Sequence, residues 1–275
     1  MDADEVIRRI ETVDIQGATA VARTGIELLQ ELAADGAAEE RIETVEERLR
    51  AARPTEPLLF NAIAAGQAHG YDTALQHIET AQDDIADRAA ALLAEEGVET
   101  VYTHCHSSTV TAALQRASQD RALAVRVTET RPLYQGRETA RELADAGIPV
   151  TLSVDAAAGN ALAEADVMLI GADAIAPDGA VYNKIGSGLF AATAARRDVP
   201  VYVLADAWKL DGDVTVEERG REEVWADAPD AVDVRNPAFE RVAPGDITGI
   251  VSELGTHRPN AFMDAVEDAY PEIAP

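Results

Sequence analysis

The sequence predicts an α/β protein in two parts: an N-terminal helical domain over residues 1–96, then a doubly wound, mainly parallel, Rossmann-like sheet domain over 97–275. Three observations carry this. Before Gly97 the apolar residues recur at helical spacing; after it come short apolar runs; and helical stretches alternate with those runs.

In the first part, Val6, Ile7 and Ile10, then Val21, Leu28, Leu29 and Leu32, mark helix faces. Asp35-Gly36 and the segment Arg53-Pro54-Thr55-Glu56-Pro57 interrupt them, because the residue before a proline is pushed out of helical conformation. About four helices are expected here. In the second part the runs 98–103, 123–128, 149–154, 167–170 and 201–204 read as parallel strands buried on both faces. Helices are expected between them over 109–117, 139–145, 156–164 and 189–196. Residues 232–234, 236–239 and 247–251 suggest late strands, and a final helix follows.

Composition excludes several classes of function. The formal charge of −27 leaves no basic face for nucleic acid, so neither DNA nor RNA is expected as a partner. No apolar run is long enough to span a membrane, and the acidic start Met1-Asp2-Ala3-Asp4-Glu5 does not resemble a signal peptide, so a cytoplasmic protein without a membrane partner is expected. Lysine is nearly absent, only Lys184 and Lys209 occurring. A carboxylate-covered surface of this kind suits a salt-rich, halophilic cytoplasm, where ions at ~1 M screen charge over about 3 Å. The single cysteine, Cys105, excludes an internal disulfide and multi-cysteine metal sites. His69, His77 and His257 have no ligand spacing with His104 and His106, so no metal is expected.

In an open parallel sheet, ligands bind beyond the carboxyl ends of the strands. There the sequence places His104-Cys105-His106-Ser107-Ser108, Glu129-Thr130-Arg131-Pro132, Asp155, Gly171-Ala172-Asp173 and Ala205-Asp206-Ala207-Trp208-Lys209. Asn183-Lys184-Ile185-Gly186-Ser187-Gly188 reads as a glycine-flanked turn into a helix, able to hold a phosphate with backbone amides and one ammonium. Arg131 at the same rim favours an anion. His104 and His106 flank Cys105, but adjacent residues of an extended chain point to opposite faces, so neither is an obvious Cys–His partner for it.

Taken together, Thr103-His104-Cys105-His106-Ser107, Thr128-Glu129-Thr130-Arg131-Pro132 with Gln135-Gly136, Gly171-Ala172-Asp173, Asn183-Lys184-Ile185-Gly186 and Asn236-Pro237-Ala238-Phe239 resemble a known superfamily. It joins ribose-1,5-bisphosphate isomerase, methylthioribose-1-phosphate isomerase and the translation initiation factor 2B regulatory subunits. Gln16-Gly17-Ala18 and Ala52-Arg53-Pro54-Thr55 resemble its N-terminal motifs.

The resemblance implies Cys105 and Asp173 as an acid–base pair, with Gln16, Gly17, Ala18, Arg53, His106, Ser107, Arg131, Gln135, Asn183, Lys184 and Lys209 around the substrate. It implies a cofactor-free aldose–ketose isomerase converting ribose 1,5-bisphosphate to ribulose 1,5-bisphosphate in archaeal-type AMP and nucleoside salvage. AMP activation and a homo-oligomer, dimer or hexamer, are implied too. The alternatives are a non-catalytic initiation-factor-like subunit that binds a nucleotide or sugar phosphate, and a methylthioribose-1-phosphate isomerase. Two cations of the family pattern are missing: Gln16 stands where arginine is usual, and Ser108 where the bisphosphate enzyme often has lysine. For Cys105 to act as a base near neutral pH, its thiol should titrate below the usual value of about 8.5.

Overall fold

In the computed structural model the described residues are 2–12, 14–15, 17–216 and 218–273. The first part holds five helices: α1 (Ala3–Glu11), α2 (Ala18–Ala34), α3 (Glu39–Ala52), α4 (Pro57–His69) and α5 (Tyr71–Glu95). The Asp2 side chain caps α1 by accepting from the Asp4 amide, and Pro57 starts α4, where its missing N–H is no loss. The fifth helix arises at Gly70, whose φ of +92° breaks what the apolar spacing alone reads as one run.

The second part follows as β1 (Thr100–Thr103), α6 (Ser108–Ser118), β2 (Ala124–Thr128), α7 (Gln135–Asp145), β3 (Val150–Ser153), α8 (Ala158–Leu162), β4 (Val167–Ile170), β5 (Ala174–Ile175), β6 (Val181–Lys184), α9 (Ser187–Ala195) and β7 (Val201–Leu204). Then come α10 (Glu222–Trp225), β8 (Phe239–Val242), β9 (Gly249–Ser252), β10 (Gly255–His257) and α11 (Pro259–Ala269).

The main sheet has the order β10-β9-β7-β4-β1-β2-β3, parallel except for β10. Val101 of β1 pairs with Val125 of β2 and Val167 of β4, and β1, β4 and β7 run through the buried centre of the sheet; β3, expected to be buried on both faces, is instead a partly exposed edge strand, with Leu152 facing solvent. Alternate residues face opposite sides. Tyr102, Met168, Val203 and Ile250 join a core that extends to Val21, Leu29, Leu49, Leu59 and Ile63 of the N-terminal helices. Val101, Val125, Leu169 and Leu204 face the other side, where Ile85, Ala89 and Leu93 of α5 cover them. Full burial of each large aliphatic side chain is worth about 1.5–3 kcal/mol, so α5 binds the two parts tightly.

Two expectations for the later segments are corrected. Residues 232–234 form no strand: Asp230, Asp233 and Arg235 surround the two valines, and the stretch runs as irregular surface chain. A small antiparallel sheet, β5-β6-β8, takes up Asn183 and Lys184, which end strand β6; the turn itself is Ile185-Gly186. Lys184 pairs in register with Phe239, which brings the Asn236–Phe239 motif beside it.

Candidate active site

Strands β1 and β4 are neighbours, and the chain proceeds from β1 to β2 and β3 on one side and from β4 to β7 and β9 on the other. The crossovers diverge at that pair, leaving a crevice at the carboxyl ends. Cys105 leaves β1 and Asp173 leaves β4, so the two emerge at that crevice from adjacent strands.

The Cys105 loop is held from several directions. Cys105 itself has φ +67°, and Thr130 and Tyr134 in the loop after β2 have φ +60°. Such conformations cost on the order of 1–3 kcal/mol each and persist where the surroundings enforce them. The Cys105 amide donates to Thr130 Oγ1 at 2.9 Å, and its carbonyl accepts from Thr139 Oγ1 at 2.9 Å. Asp155, after β3, accepts from the amides of Thr130 at 2.8 Å and Arg131 at 2.7 Å. Gly171 lets the loops close: a Cβ there would stand 2.6 Å from Ser107 Oγ. Ser107 caps α6 by accepting from the Val110 amide.

His104 is a positioning residue. Its Nδ1 lies 2.8 Å from Thr128 Oγ1 and its Nε2 lies 2.9 Å from the Ile185 carbonyl, so it ties β2 to the turn after Lys184. Burial lowers its pKa, which keeps the ring neutral. His106 turns instead toward α7, with Nε2 3.1 Å from Glu142 Oε2.

Both lysines converge on Asp173. Lys209 Nζ donates to the Ala172 carbonyl at 2.7 Å, and the positive charges of Lys209 and Lys184 both act on the Asp173 carboxyl. Burial still raises the Asp173 pKa above the usual carboxylate value. Lys184 is buried, with Nζ 4.7 Å from the centre of the Phe239 ring. It also acts on Cys105, pulling the thiol down while Asp173 and Glu138 push it up. Burial dominates and takes the thiol up to about 12. The expected lowering of this thiol is therefore not what the folded site produces: Cys105 is 7% exposed, and the pull of Lys184 is outweighed by its loss of water.

The other expected residues are placed as follows. Arg53 pairs with Glu56, while its Nη1 is buried with no acceptor among the described residues. Glu56 sits close enough to Asp173 and Lys209 for their charges to be felt, but burial holds its carboxyl above the usual range. Asn183 donates to Ser187 Oγ at 2.9 Å. Arg131 packs on the Tyr134 ring, its guanidinium carbon 4.9 Å from the centroid. Gln135 begins α7 and lines a cavity together with Lys184. Gly17, with φ +86°, and Ala18 open α2, and Gln16 lies outside the described residues.

Sequence reasoning missed Glu56, Arg219 and Glu223. Glu56 lies within the Arg53-Pro54-Thr55-Glu56-Pro57 stretch read only as a break in the helices; Arg219 and Glu223 lie in a polar segment without periodicity. Arg219, Glu223 and Asn236 complete the cavity beside Lys184.

Among the described residues, one group has atoms close enough to hold a metal ion: His77, Asp206 and Glu253, all within 4.8 Å. Most of its atoms are engaged within the protein: His77 Nε2 lies 3.0 Å from Asp206 Oδ1, which also accepts from the Trp208 amide, and Glu253 Oε2 accepts from the Ala207 amide at 3.2 Å, while Glu253 Oε1 is buried without a hydrogen-bond partner among the described residues. The His77 ring stacks on Trp208 at 3.7 Å, so the group works as a joint between α5 and the loop after β7.

Residues 14–259 match the Initiation factor 2 subunit family. The chain belongs to this family. A Haloterrigena turkmenica protein named ribose 1,5-bisphosphate isomerase is 35% identical, over 96% of this chain and 92% of that one. A methylthioribose-1-phosphate isomerase of Anaeromyxobacter sp. is 34% identical, over 93% of this chain and 85% of that one. Among solved structures, the translation initiation factor eIF-2B of Pyrococcus horikoshii OT3 superposes with a TM-score of 0.80 at 28% identity, covering 94% of this chain and 97% of the other. The family fold thus extends through both the helical part and the sheet.

Proposed function

We propose that the chain is an isomerase converting ribose 1,5-bisphosphate into ribulose 1,5-bisphosphate, with Cys105 and Asp173 as its acid–base pair. The observation that carries the proposal is the setting of Asp173: the only two lysines of the chain both act on it, at the crevice where Cys105 also emerges. Relatives named as sugar-phosphate isomerases support the reaction class. A role in AMP and nucleoside salvage, activation by AMP and assembly as a homo-oligomer belong to the same proposal.

The reaction moves two protons and its tally closes. Asp173, protonated, gives its proton to the ring oxygen as the ring opens, and Cys105 as thiolate takes the hydrogen on the second carbon as a proton. The resulting enol keeps its phosphate on the first carbon. Asp173, now a carboxylate, takes the proton of the second-carbon hydroxyl, while the Cys105 thiol returns its proton to the first carbon. The pair ends as it began, with one proton, held by Asp173.

The raised pKa of Asp173 favours that starting state, and the raised thiol of Cys105 opposes it. Protonation of Asp173 removes one of the two negative charges that push the thiol up, Glu138 being the other. Lys184 then acts on the sulfur against less opposition. Arg53, whose Nη1 lacks an acceptor, and Arg131 are assigned to phosphate oxygens, with Asn183 and Lys184 positioning the sugar.

The neutral thiol and the cations missing at Gln16 and Ser108 favour a second reading, a regulatory subunit that binds a nucleotide or sugar phosphate without turnover. Ribose 1,5-bisphosphate and methylthioribose 1-phosphate, offered side by side, separate the possibilities. Turnover of the bisphosphate is expected. Turnover of methylthioribose 1-phosphate alone would reassign the substrate, and tight binding without turnover would support the regulatory reading.

A further inference from the structure

The cavity beside Lys184 has a wall that the proposed reaction leaves without a task. Glu223, on the short helix α10, accepts there from Arg219 Nε at 2.9 Å, from Arg219 Nη2 at 2.5 Å and from Asn236 Nδ2 at 3.0 Å. The Arg219 contacts, then burial and Asn236, set its ionisation, and together with the charge of Lys184 they leave the carboxyl below its usual range. Arg131 reaches the same helix, Nη2 donating to the Val224 carbonyl at 3.4 Å. One carboxylate thus takes up a planar guanidinium edge, an amide donor and the field of an ammonium, the set of groups that a phosphoryl oxygen triad satisfies. The element that carries it is lightly held. None of the four residues of α10 is buried, and Val224 and Trp225 are 38% and 47% exposed.

We propose that Arg219 is a phosphate-binding residue of the sugar-phosphate site, and that Glu223 occupies the phosphoryl position in the empty site until an arriving phosphate displaces it and α10 moves off. The proposal rests on the sugar-phosphate reading given above and names a cation that compensates for those missing at Gln16 and Ser108. Phosphate wins the exchange because it brings up to two charges and three acceptor oxygens, where Glu223 brings one charge and two. Glu223 thereby neutralises the Arg219 charge in the free protein and raises the threshold for weak anions.

The test uses the full chain in molar potassium chloride, titrated with inorganic phosphate and followed by calorimetry and by tryptophan fluorescence. Trp225 sits on the moving helix, whereas Trp208, the other tryptophan, is 3% exposed and stays in place. Glu223→Gln, which keeps the shape and removes the competing charge, should tighten phosphate binding about tenfold, and Arg219→Gln should weaken it about tenfold or more, by loss of a charge-assisted contact. Arg219→Lys, retaining the charge without the fork, should fall between wild type and Arg219→Gln. Opposite shifts are the signature, since a pair with only a structural task is broken by either substitution and would move affinity in the same direction. Equal affinities, shifts of the same sign, or saturation without a fluorescence change in the wild type would each overturn the proposal. Because the probe is inorganic phosphate, opposite shifts in a protein that fails to convert ribose 1,5-bisphosphate would sink the isomerase and leave Arg219 assigned.

Discussion

Cys105 combines three properties that rarely coincide in a packing residue: a left-handed backbone, both main-chain groups held by threonine hydroxyls, and a sulfur that shares the charges of Lys184 and Asp173. The backbone strain fixes where the sulfur points, and burial fixes its protonation. In the free protein the thiol, raised to about 12 by burial, is neutral near pH 7. Alkylation by iodoacetamide reports this one site, since the chain has no other cysteine. The rate should be slow at pH 7 and rise about tenfold per pH unit through pH 10 without levelling, because the thiolate fraction is still growing there. A plateau below pH 8.5 would show an activated thiolate and contradict the buried, neutral thiol.

At the scale of elements, the parallel strands and their terminal residues were legible in sequence, because strands buried on both faces read as apolar runs and the site lies where they end. Cys105, Asp173 and Lys209 were found that way. β6 escaped, since Val181-Tyr182-Asn183-Lys184 is short and half polar, and so did Glu223, which reaches Lys184 through a fold of the chain that no local pattern encodes. The joint of His77, Asp206 and Glu253 escaped for the same reason, its members coming from α5, the β7 loop and the end of β9. It has a measurable consequence. Burial, and then the charge of Asp206, raise Glu253 to about 7, against a pull from His77. A raised carboxyl stabilises the fold fully below its unfolded value of about 4.3 and loses that contribution as pH climbs through the folded value. Glu253→Gln, always neutral, should therefore match the wild type at low pH and exceed it in melting temperature at pH 8. At about 1.4 kcal/mol per pK unit the gain is on the order of 3–4 kcal/mol. A difference that does not change with pH would refute the assignment.

For the whole molecule, the net charge of −27 and the placement of both lysines beside Asp173 describe one pattern: carboxylates over the surface, ammonium groups only at the crevice. Such a shell repels itself unless ions screen it. Dialysis from molar potassium chloride to low salt should abolish the near-UV circular dichroism, and an unchanged spectrum would count against a salt-adapted protein. The proposed function rests on the crevice between β1 and β4, and the most direct measurement is turnover of ribose 1,5-bisphosphate to ribulose 1,5-bisphosphate in molar potassium chloride, with and without AMP, by the wild type and by Cys105→Ser and Asp173→Asn. Turnover by the wild type, reduced at least about a hundredfold in each variant with the fold intact, is the predicted result; a folded wild type that does not convert the bisphosphate, or variants as active as the wild type, would contradict the account.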